Sequence, residues 1–169
     1  PSIRFGWWYF RDQPPAMSTP VQIVWFKRDL RVRDHRPLAE AARRGPVLPL
    51  YVAEPSVIGA PDFSARHWTL IRQSLVELRG RLADLGQPLV VRMGEMPGGL
   101  EMLRGRCGAL QLWAHEETGN GKTYQRDKRV RRWCRAHGMP FAEAPHMGVT
   151  RPLNDRDGWA DRWEAQMAQ

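Results

Sequence analysis

The chain has 169 residues, enough for one domain with a substantial core and too few for two ordinary domains. Hydrophobic residues make up 42% of the sequence and charged residues 26%, which is the composition of a soluble globular protein. No apolar run approaches the length of a membrane-spanning helix, so we expect no membrane partner. The formal net charge of +8 favours an acidic partner such as nucleic acid.

The two cysteines, Cys107 and Cys134, have no CxxC spacing and no histidine partners nearby. This pattern supports neither a zinc site nor a disulfide framework. We therefore predict two buried thiols, no bound metal and a cytoplasmic location.

Residues 1–16 precede the first predicted strand and lack the basic segment, long apolar core and small-residue cleavage site of a signal peptide. The chain begins with Pro1, and Met17 is the only methionine before that strand. We predict that residues 1–16 are a disordered or upstream extension of the domain.

The first strong element is an apolar run at residues 23–26, whose β-branched and aromatic side chains predict a buried parallel strand. It passes directly into a segment from Lys27 to Arg36 that holds five cations and two carboxylates. Asp34 is predicted to cap the next helix, with Pro37 in its first turn. In an open α/β sheet, the loop leaving the carboxyl end of a strand is where ligands or partners bind, and a solvated charged loop is the alternative.

Strands and helices alternate through the rest of the chain. After a helix at residues 35–44, the pattern predicts strands at residues 47–52, 88–92, 109–114 and 140–144, helices at 64–85, 100–106 and 124–137, and a loop at 54–63. This alternation predicts a Rossmann-like α/β fold: a five-stranded parallel sheet of order 3-2-1-4-5 with helices on both faces.

The helix that begins after Ser64 has the clearest amphipathic pattern. Its apolar residues recur every three or four positions and predict one face packed on the sheet, formed by Trp68, Ile71, Leu75, Leu78, Leu82 and Leu85. Near the C-terminus, Trp159, Trp163 and Met167 form a shorter apolar stripe that needs a partner surface.

Two glycine-dependent nucleotide motifs are incomplete. The first strand-to-helix turn has no glycine between Trp25 and Pro37, which excludes an NAD-binding Rossmann domain. Residues 119–123, GNGKT, imitate the end of a Walker A loop, but Glu116 stands where that motif needs glycine. A carboxylate there repels phosphate, so we expect no P-loop. A different anion or cofactor contact at the N-terminus of the helix predicted at residues 124–137 stays open.

Residues 122–135 form the most basic segment, with seven cations and Asp127 as the one carboxylate. The inward face is predicted to consist of Val130, Trp133 and Cys134. Arg126 is placed among the cations around that face. Three interpretations stay open: a solvated face, a nucleic-acid or anion surface, and a face that docks another domain.

Two adjacent carboxylates, Glu116 and Glu117, follow His115 at the end of the fourth predicted strand. They could bind a metal or act as an acid and a base, but side chains one residue apart do not converge on one point. One of them is therefore predicted to be solvated or paired with a cation of the first loop, namely Lys27, Arg28 or Arg31. The histidines are scattered, and no catalytic residue is predicted.

Residues 25–35, WFKRDLRVRDH, resemble the WFRRDLRLHDN signature that opens the N-terminal α/β domain of DNA photolyases and cryptochromes. Seven of the eleven positions match directly, at Trp25, Phe26, Arg28, Asp29, Leu30, Arg31 and Asp34. Lys27 replaces the usual arginine, and His35 replaces the usual asparagine. The similarity continues loosely through most of residues 20–169.

This resemblance implies an α/β domain at residues 17–148 and, at residues 149–169, the start of a linker toward a helical FAD-binding domain absent from this chain. For the intact protein it implies light-driven repair of pyrimidine dimers, as a deoxyribodipyrimidine photo-lyase, or blue-light photoreception. FAD would be the cofactor and DNA the partner. Electron transfer would belong to the helical domain, so this chain alone is expected to be a monomer without repair activity.

The resemblance also implies that the α/β domain holds an optional antenna chromophore of the deazaflavin, flavin or folate type. The residues expected at the chromophore or at the domain interface are Lys27, Arg28, Asp29, Arg31, Glu54, Glu116, Glu117 and Arg126. A folate is disfavoured because Thr123 stands where folate-binding members place a glutamate. Two alternatives stay open: a stand-alone adenine-nucleotide-binding α/β domain and a basic nucleic-acid-binding module.

Overall fold

The computed structural model describes residues 19–146 and 157–168, apart from the side chain of Gln166. The predicted extension at residues 1–16 lies outside the described residues, as do residues 149–156 and 169 of the predicted linker. In the described ranges, the chain alternates strands and helices as the sequence predicts.

The strands are β1 (Val21–Phe26), β2 (Val47–Ala53), β3 (Val90–Met93), β4 (Leu110–His115) and β5 (Phe141–Ala144). The helices are α1 (Arg36–Ala42), α2 (Pro55–Ile58), α3 (Ala65–Asp84), α4 (Gly98–Cys107), α5 (Gly121–Ala136) and α6 (Trp159–Met167). The predicted and observed bounds of β1 to β5 differ by only a few residues at each end.

The five strands form one parallel sheet of order β3-β2-β1-β4-β5, which confirms the predicted topology. β1 is central: Trp25 lies opposite Leu50 of β2, and Val24 lies opposite Trp113 of β4. The chain runs outward from β1 to β3 and then crosses back to β4. The carboxyl ends of β1 and β4 therefore flank the point where the strand order reverses, and such a point opens a crevice.

β1 is buried along its whole length because each of its two faces packs on a separate core. Ile23 and Trp25 enter the core that α4 and α5 cover, whereas Val24 and Phe26 enter the core that α1 and α3 cover. Successive strand residues point to opposite faces, so a strand covered by helices on both faces is mostly apolar. Gln22 is the polar exception in β1, and its Oε1 accepts a hydrogen bond from Trp113 Nε1 at 2.8 Å.

The start of α1 differs from the prediction. His35, and not Asp34, is the N-cap residue: its Nδ1 accepts a hydrogen bond from the Leu38 N–H at 3.1 Å. Asp34 has a φ of 49°, a left-handed conformation that aspartate tolerates, and this turns the chain one residue before the cap. The segment predicted as a loop also contains the short helix α2, which begins at Pro55, a residue suited to a first helical turn.

The predicted inward face of α3 is observed at five positions, namely Trp68, Ile71, Leu75, Leu78 and Leu82. Ser64 is the N-cap: its hydroxyl accepts the His67 N–H, and the His67 ring accepts the Ser64 N–H in return. Leu85 was predicted on the same face but is 64% exposed, because it is the C-cap residue and the helical periodicity ends before it.

Helix α6 exposes the apolar stripe that its sequence predicts. Trp159, Trp163 and Met167 are all exposed, and the two indole rings stack with their centroids 6.4 Å apart. In residues 19–146 and 157–168, no helix combines the length and the apolar composition that a membrane crossing requires.

Candidate functional site

A pocket of about 480 Å³ opens at the carboxyl ends of β1 and β2, and α2, the start of α3 and the β4–α5 loop complete its walls. This volume is in the range of small-molecule and cofactor sites. The nonpolar lining includes Trp25, Phe26, Tyr51, Ile58, Phe63 and Ile71. The charged lining consists of Lys27, Arg28, Glu54, Asp62, Glu117, Lys122 and Arg126.

Arg126 organises the charged side of the pocket. Its guanidinium donates to Glu54 Oε2 at 2.8 Å, to Glu117 Oε2 at 2.5 Å and to Asp127 Oδ1 at 2.9 Å. All four side chains are buried, and the three carboxylates engage all three nitrogens of the guanidinium. The sequence placed Arg126 among the cations around the inward face of the helix and left its environment open; its carboxylate partners turn it inward.

Lys27 extends this network from the end of β1. Its ammonium lies 2.5 Å from Asp127 Oδ2 and 4.9 Å from the centroid of the Trp25 ring. The Arg126 guanidinium lies 4.8 Å from the same ring. Trp25 therefore provides both a nonpolar pocket wall and a cation–π partner for the two buried cations.

The two glutamates of the network differ in protonation behaviour. Burial raises the pKa of Glu54 above its ordinary value, although Arg126 acts in the opposite direction. Burial also acts to raise the pKa of Glu117, but Arg126, Lys27 and the Gly119 N–H together bring it below its ordinary value. Burial, with Glu54 nearby, raises the pKa of the Tyr51 hydroxyl to about 12. Glu117 is therefore the firmly ionised glutamate, and Glu54 is the one more easily protonated.

Glu117 also holds the β4–α5 loop against the pocket. Its Oε1 accepts the Gly119 N–H at 2.7 Å and lies 3.3 Å from Arg28 Nε. A Cβ atom at Gly119 would lie 2.7 Å from that same oxygen and 2.7 Å from Thr123 Oγ1, and would also meet the Arg28 guanidinium. The packing around position 119 is so close that it leaves room for glycine but not for a residue with a Cβ atom. Glu117 is thus the one of the two adjacent glutamates that pairs with a first-loop cation, a choice that the sequence left open.

The groups that imitate a Walker A loop have other partners. Lys122 Nζ donates to the Ser56 carbonyl at 3.0 Å, and Thr123 Oγ1 donates to the Asn120 carbonyl at 3.0 Å. The Gly119 N–H, which would face a phosphate, donates to the Glu117 carboxylate instead. These contacts agree with the prediction that this glycine-containing loop is not a P-loop.

A second buried cluster lies beside the first loop, where Asp29 meets His35 and His115. Asp29 Oδ2 contacts His115 Nδ1 and lies 2.7 Å from His35 Nε2, an ion-pair distance without hydrogen-bond alignment. Burial acts to raise the pKa of Asp29, but hydrogen bonding from His115 and the two imidazoles together bring it far below its ordinary value. The sequence treated these histidines as scattered, because six strands and helices, from α1 to α4, lie between His35 and the strand that carries His115.

These three side chains offer atoms within 4.8 Å of one another, as metal ligands would. The tautomer of His35 argues against a metal here. His35 Nδ1 accepts the Leu38 N–H, so a neutral ring carries its proton on Nε2 and has no lone pair there for a metal. The cluster therefore fixes the first loop: Asp29 also accepts the Lys27 N–H at 3.3 Å.

Five of the eight residues predicted at a chromophore or interface line the pocket: Lys27, Arg28, Glu54, Glu117 and Arg126. The other three lie elsewhere. Asp29 is in the histidine cluster, Arg31 donates to the carbonyls of Arg33 and Asp34, and Glu116 is absent from the pocket lining. Chromophore binding by the five stays a prediction.

The sequence did not predict the nonpolar wall contributed by Ile58, Phe63 and Ile71. Ile58 and Phe63 lie in the segment read as a loop, and Ile71 was assigned only to the core. One signal could have indicated this wall. The segment follows the carboxyl end of β2, and the carboxyl ends of neighbouring parallel strands lie at the same edge of a sheet. The segment should therefore lie beside the charged segment that follows β1.

The family model described as DNA photolyase matches residues 22–153. The chain belongs to the DNA photolyase family. This confirms the resemblance of the first strand and loop, and the pocket thus belongs to the α/β fold of that family.

Individual relatives agree with this assignment. The chain is 43% identical over 77 residues to cryptochrome-1 of Arabidopsis thaliana and 37% identical over 84 residues to cryptochrome DASH of Gloeobacter violaceus. These matches cover 44% and 46% of this chain but 11% and 17% of the relatives' lengths. A bacterial class III photolyase from Agrobacterium tumefaciens superposes with a TM-score of 0.72 at 27% identity, covering 85% of this chain and 29% of that protein.

Proposed function

We propose that this photolyase-family domain binds a planar, light-absorbing antenna chromophore in the pocket at the ends of β1 and β2. The observation that carries the proposal is the combination of a nonpolar, aromatic wall with a fully paired charged network on one pocket of about 480 Å³. Such a pocket suits a conjugated ring system that also has polar edge groups.

The residues fit this kind of ligand in distinct ways. Phe63 and Ile71, both half-buried, offer flat or branched nonpolar surface for a ring system. Arg28 is an exposed cation of the lining and suits an acidic substituent. When bound, the chromophore would absorb light and pass the excitation to a flavin, and the pocket would hold it rigidly and keep water away.

A flavin or deazaflavin is the class we favour. Thr123 lies in the pocket lining at the position where the family resemblance places a glutamate in folate-binding members. An adenine nucleotide is disfavoured because the Gly119 N–H, the Lys122 ammonium and the Thr123 hydroxyl already donate hydrogen bonds to other groups of the protein. The pocket therefore offers a phosphate chain few free donors among the described residues.

For the intact protein we propose light-driven repair of pyrimidine dimers in DNA or blue-light photoreception, with FAD bound outside this domain. The first strand-to-helix turn lacks the glycines that a dinucleotide pyrophosphate needs, which supports a flavin site elsewhere. The monomeric state, the cytoplasmic location and the lack of repair activity in this chain alone stay predictions.

The test titrates the 169-residue chain with FMN, an 8-hydroxydeazaflavin, methenyltetrahydrofolate and ADP, and follows absorbance and fluorescence. Leu70→Glu places a carboxylate on the pocket lining, while Val76→Glu makes the same change elsewhere on α3; the two side chains are 63% and 70% exposed. We expect one flavin or deazaflavin per chain, with affinity at least tenfold weaker in Leu70→Glu and unchanged in Val76→Glu. A folded chain that binds none of the pigments, or binds ADP at this pocket, would contradict the proposal.

A further inference from the structure

The exposed surface of α5 carries more positive charge than the neighbouring carboxylates balance. Its solvent-facing cations, here called the basic face of α5, are Lys128, Arg129, Arg132 and Arg135. The one carboxylate of the helix, Asp127, is buried against Arg126 and Lys27. Arg132 lies about one helical turn from both Lys128 and Arg135, and such like-charged neighbours are unfavourable in an isolated helix.

The helical period places these cations on one side. With 3.6 residues per turn, the four side chains fall within roughly a third of the helix circumference, opposite the buried Val130 and Cys134. Lys128 and Arg135 are about 10 Å apart along the axis, at a rise of 1.5 Å per residue. The face is therefore a short, straight row of charges on a rigid element.

The carboxylates near this row are already engaged. Glu143 pairs with Arg131, and Glu95 accepts hydrogen bonds from Ser56 N at 2.8 Å and Ser56 Oγ at 2.6 Å. Within the described part of the chain, neither Arg132 nor Arg135 has a carboxylate oxygen within 4.0 Å. The charges of Arg132 and Arg135 are thus available to an external anion, whereas Arg129 interacts electrostatically with Glu95.

We propose that the basic face of α5 binds the phosphate backbone of a nucleic-acid duplex. The proposal concerns a surface separate from the chromophore pocket and does not depend on the pigment. A regular row of guanidinium and ammonium groups matches repeated phosphates, which arginine binds through a planar pair of donors. Backbone binding of this kind positions the protein without reading sequence.

Other acidic partners fit less well. An amphipathic helix at a lipid surface needs exposed nonpolar side chains, but Val130 and Cys134 of α5 are buried in the core. A single strand is bound through aromatic platforms, whereas Lys128 lies over the Tyr124 ring, and Trp133 is half-buried and stacked on His137. The row exposes positive charges, and the backbone of a duplex presents the negative phosphates that such charges bind.

The other long helix provides a matched control. α3 also exposes arginines, including Arg66, Arg72 and Arg79, but it carries the exposed acids Glu77 and Asp84. The triple variant Lys128→Gln/Arg132→Gln/Arg135→Gln and the control Arg66→Gln/Arg72→Gln/Arg79→Gln each remove three positive charges. Glutamine keeps a helix propensity close to that of lysine and arginine, so both variants should fold, as circular dichroism melting would verify.

The experiment measures binding of the full 169-residue chain to a labelled, undamaged DNA duplex by fluorescence anisotropy from 50 to 200 mM salt. We expect the α5 variant to bind the duplex at least tenfold more weakly than the parent. The slope of log K against log salt should become shallower by about 3, because each lost phosphate contact removes roughly 0.9 from the slope. The α3 control should lose less than threefold. Equal losses in both variants, an α5 variant that binds like the parent, tighter binding to the single strand, or binding to anionic vesicles in place of the duplex would each overturn the proposal.

Discussion

Lys27 and Asp127 form a buried ion pair that joins the end of the central strand to helix α5. The two atoms, Lys27 Nζ and Asp127 Oδ2, lie 2.5 Å apart, and the side chains are 4% and 3% exposed. The residues are a hundred positions apart in sequence. The pair therefore fixes the position of α5, and with it Arg126, at the carboxyl edge of the sheet.

Lys27→Met should lower the free energy of unfolding by about 3 kcal/mol, because it leaves a buried carboxylate with one cation fewer. Urea unfolding measures this change. The double variant Lys27→Met/Asp127→Asn should recover part of the loss, since no unpaired charge remains on either side. Additive losses in the double-mutant cycle would show that the two groups do not interact.

Gly119→Ala should weaken chromophore binding at least tenfold and lower the melting temperature. The added Cβ would lie 2.7 Å from the Glu117 carboxylate and 2.7 Å from Thr123 Oγ1, so the β4–α5 loop would have to move. Gly121→Ala is the matched control, because a Cβ there meets nothing within 4 Å. Similar pigment titrations and melts for the two variants would refute this account of the loop.

Arg28→Ala should change stability by less than about 1 kcal/mol and yet weaken chromophore binding several-fold. The Arg28 side chain is 57% exposed, so its 3.3 Å contact with Glu117 is screened by solvent and contributes little to folding. Its place in the pocket lining makes it a ligand contact under the proposed function. Arg33→Ala, an exposed change outside that lining, serves as the control in pigment titration and urea unfolding. Unchanged pigment affinity in Arg28→Ala would remove Arg28 from the site.

Asp29→Asn should destabilise the protein at neutral pH by about 2 kcal/mol, the scale of hydrogen bonds to a buried charge. The pKa of Asp29 is lowered in the folded state, so its contribution is complete above the unfolded pKa near 4 and is lost as pH falls below it. The difference in free energy of unfolding between the parent and Asp29→Asn, measured with urea, should therefore shrink between pH 5 and pH 3. The exposed Asp84→Asn should show a small difference at every pH. A gap that keeps its full size at pH 3 would contradict the lowered pKa.

The fold was predictable because its signals are local and repeated. An apolar β1 followed by alternating strand and helix patterns determines both the parallel sheet and its order. The errors arose where one residue decides the outcome. The cap of α1 moved from Asp34 to His35 because Asp34 adopts a left-handed conformation, which sequence does not specify.

The site was predictable only in part, since its contacts join distant segments. Charged residues after β1 and β4 could be placed at one sheet edge, and one of Glu116 and Glu117 was expected to be solvated or to pair with a cation there. The structure identifies Glu117 as the paired one. The burial of Arg126 could not be read from the helix pattern, because Glu54, one of its partners, lies 72 residues away. The contact between Asp29 and His115 spans 86 residues and has no local signature.

The charged network of Lys27, Arg28, Glu54, Glu117, Arg126 and Asp127 is one connected unit, which Glu117, Arg126 and Asp127 join together because each contacts more than one other member. Its members are therefore strongly coupled, and single substitutions among them should be non-additive. The nonpolar wall is different, because Ile58, Phe63 and Leu70 contribute shape to the pocket without entering the network. A change of pigment, in evolution or by engineering, is accordingly accessible through the nonpolar wall one residue at a time, whereas the charged side would have to be rebuilt as a group.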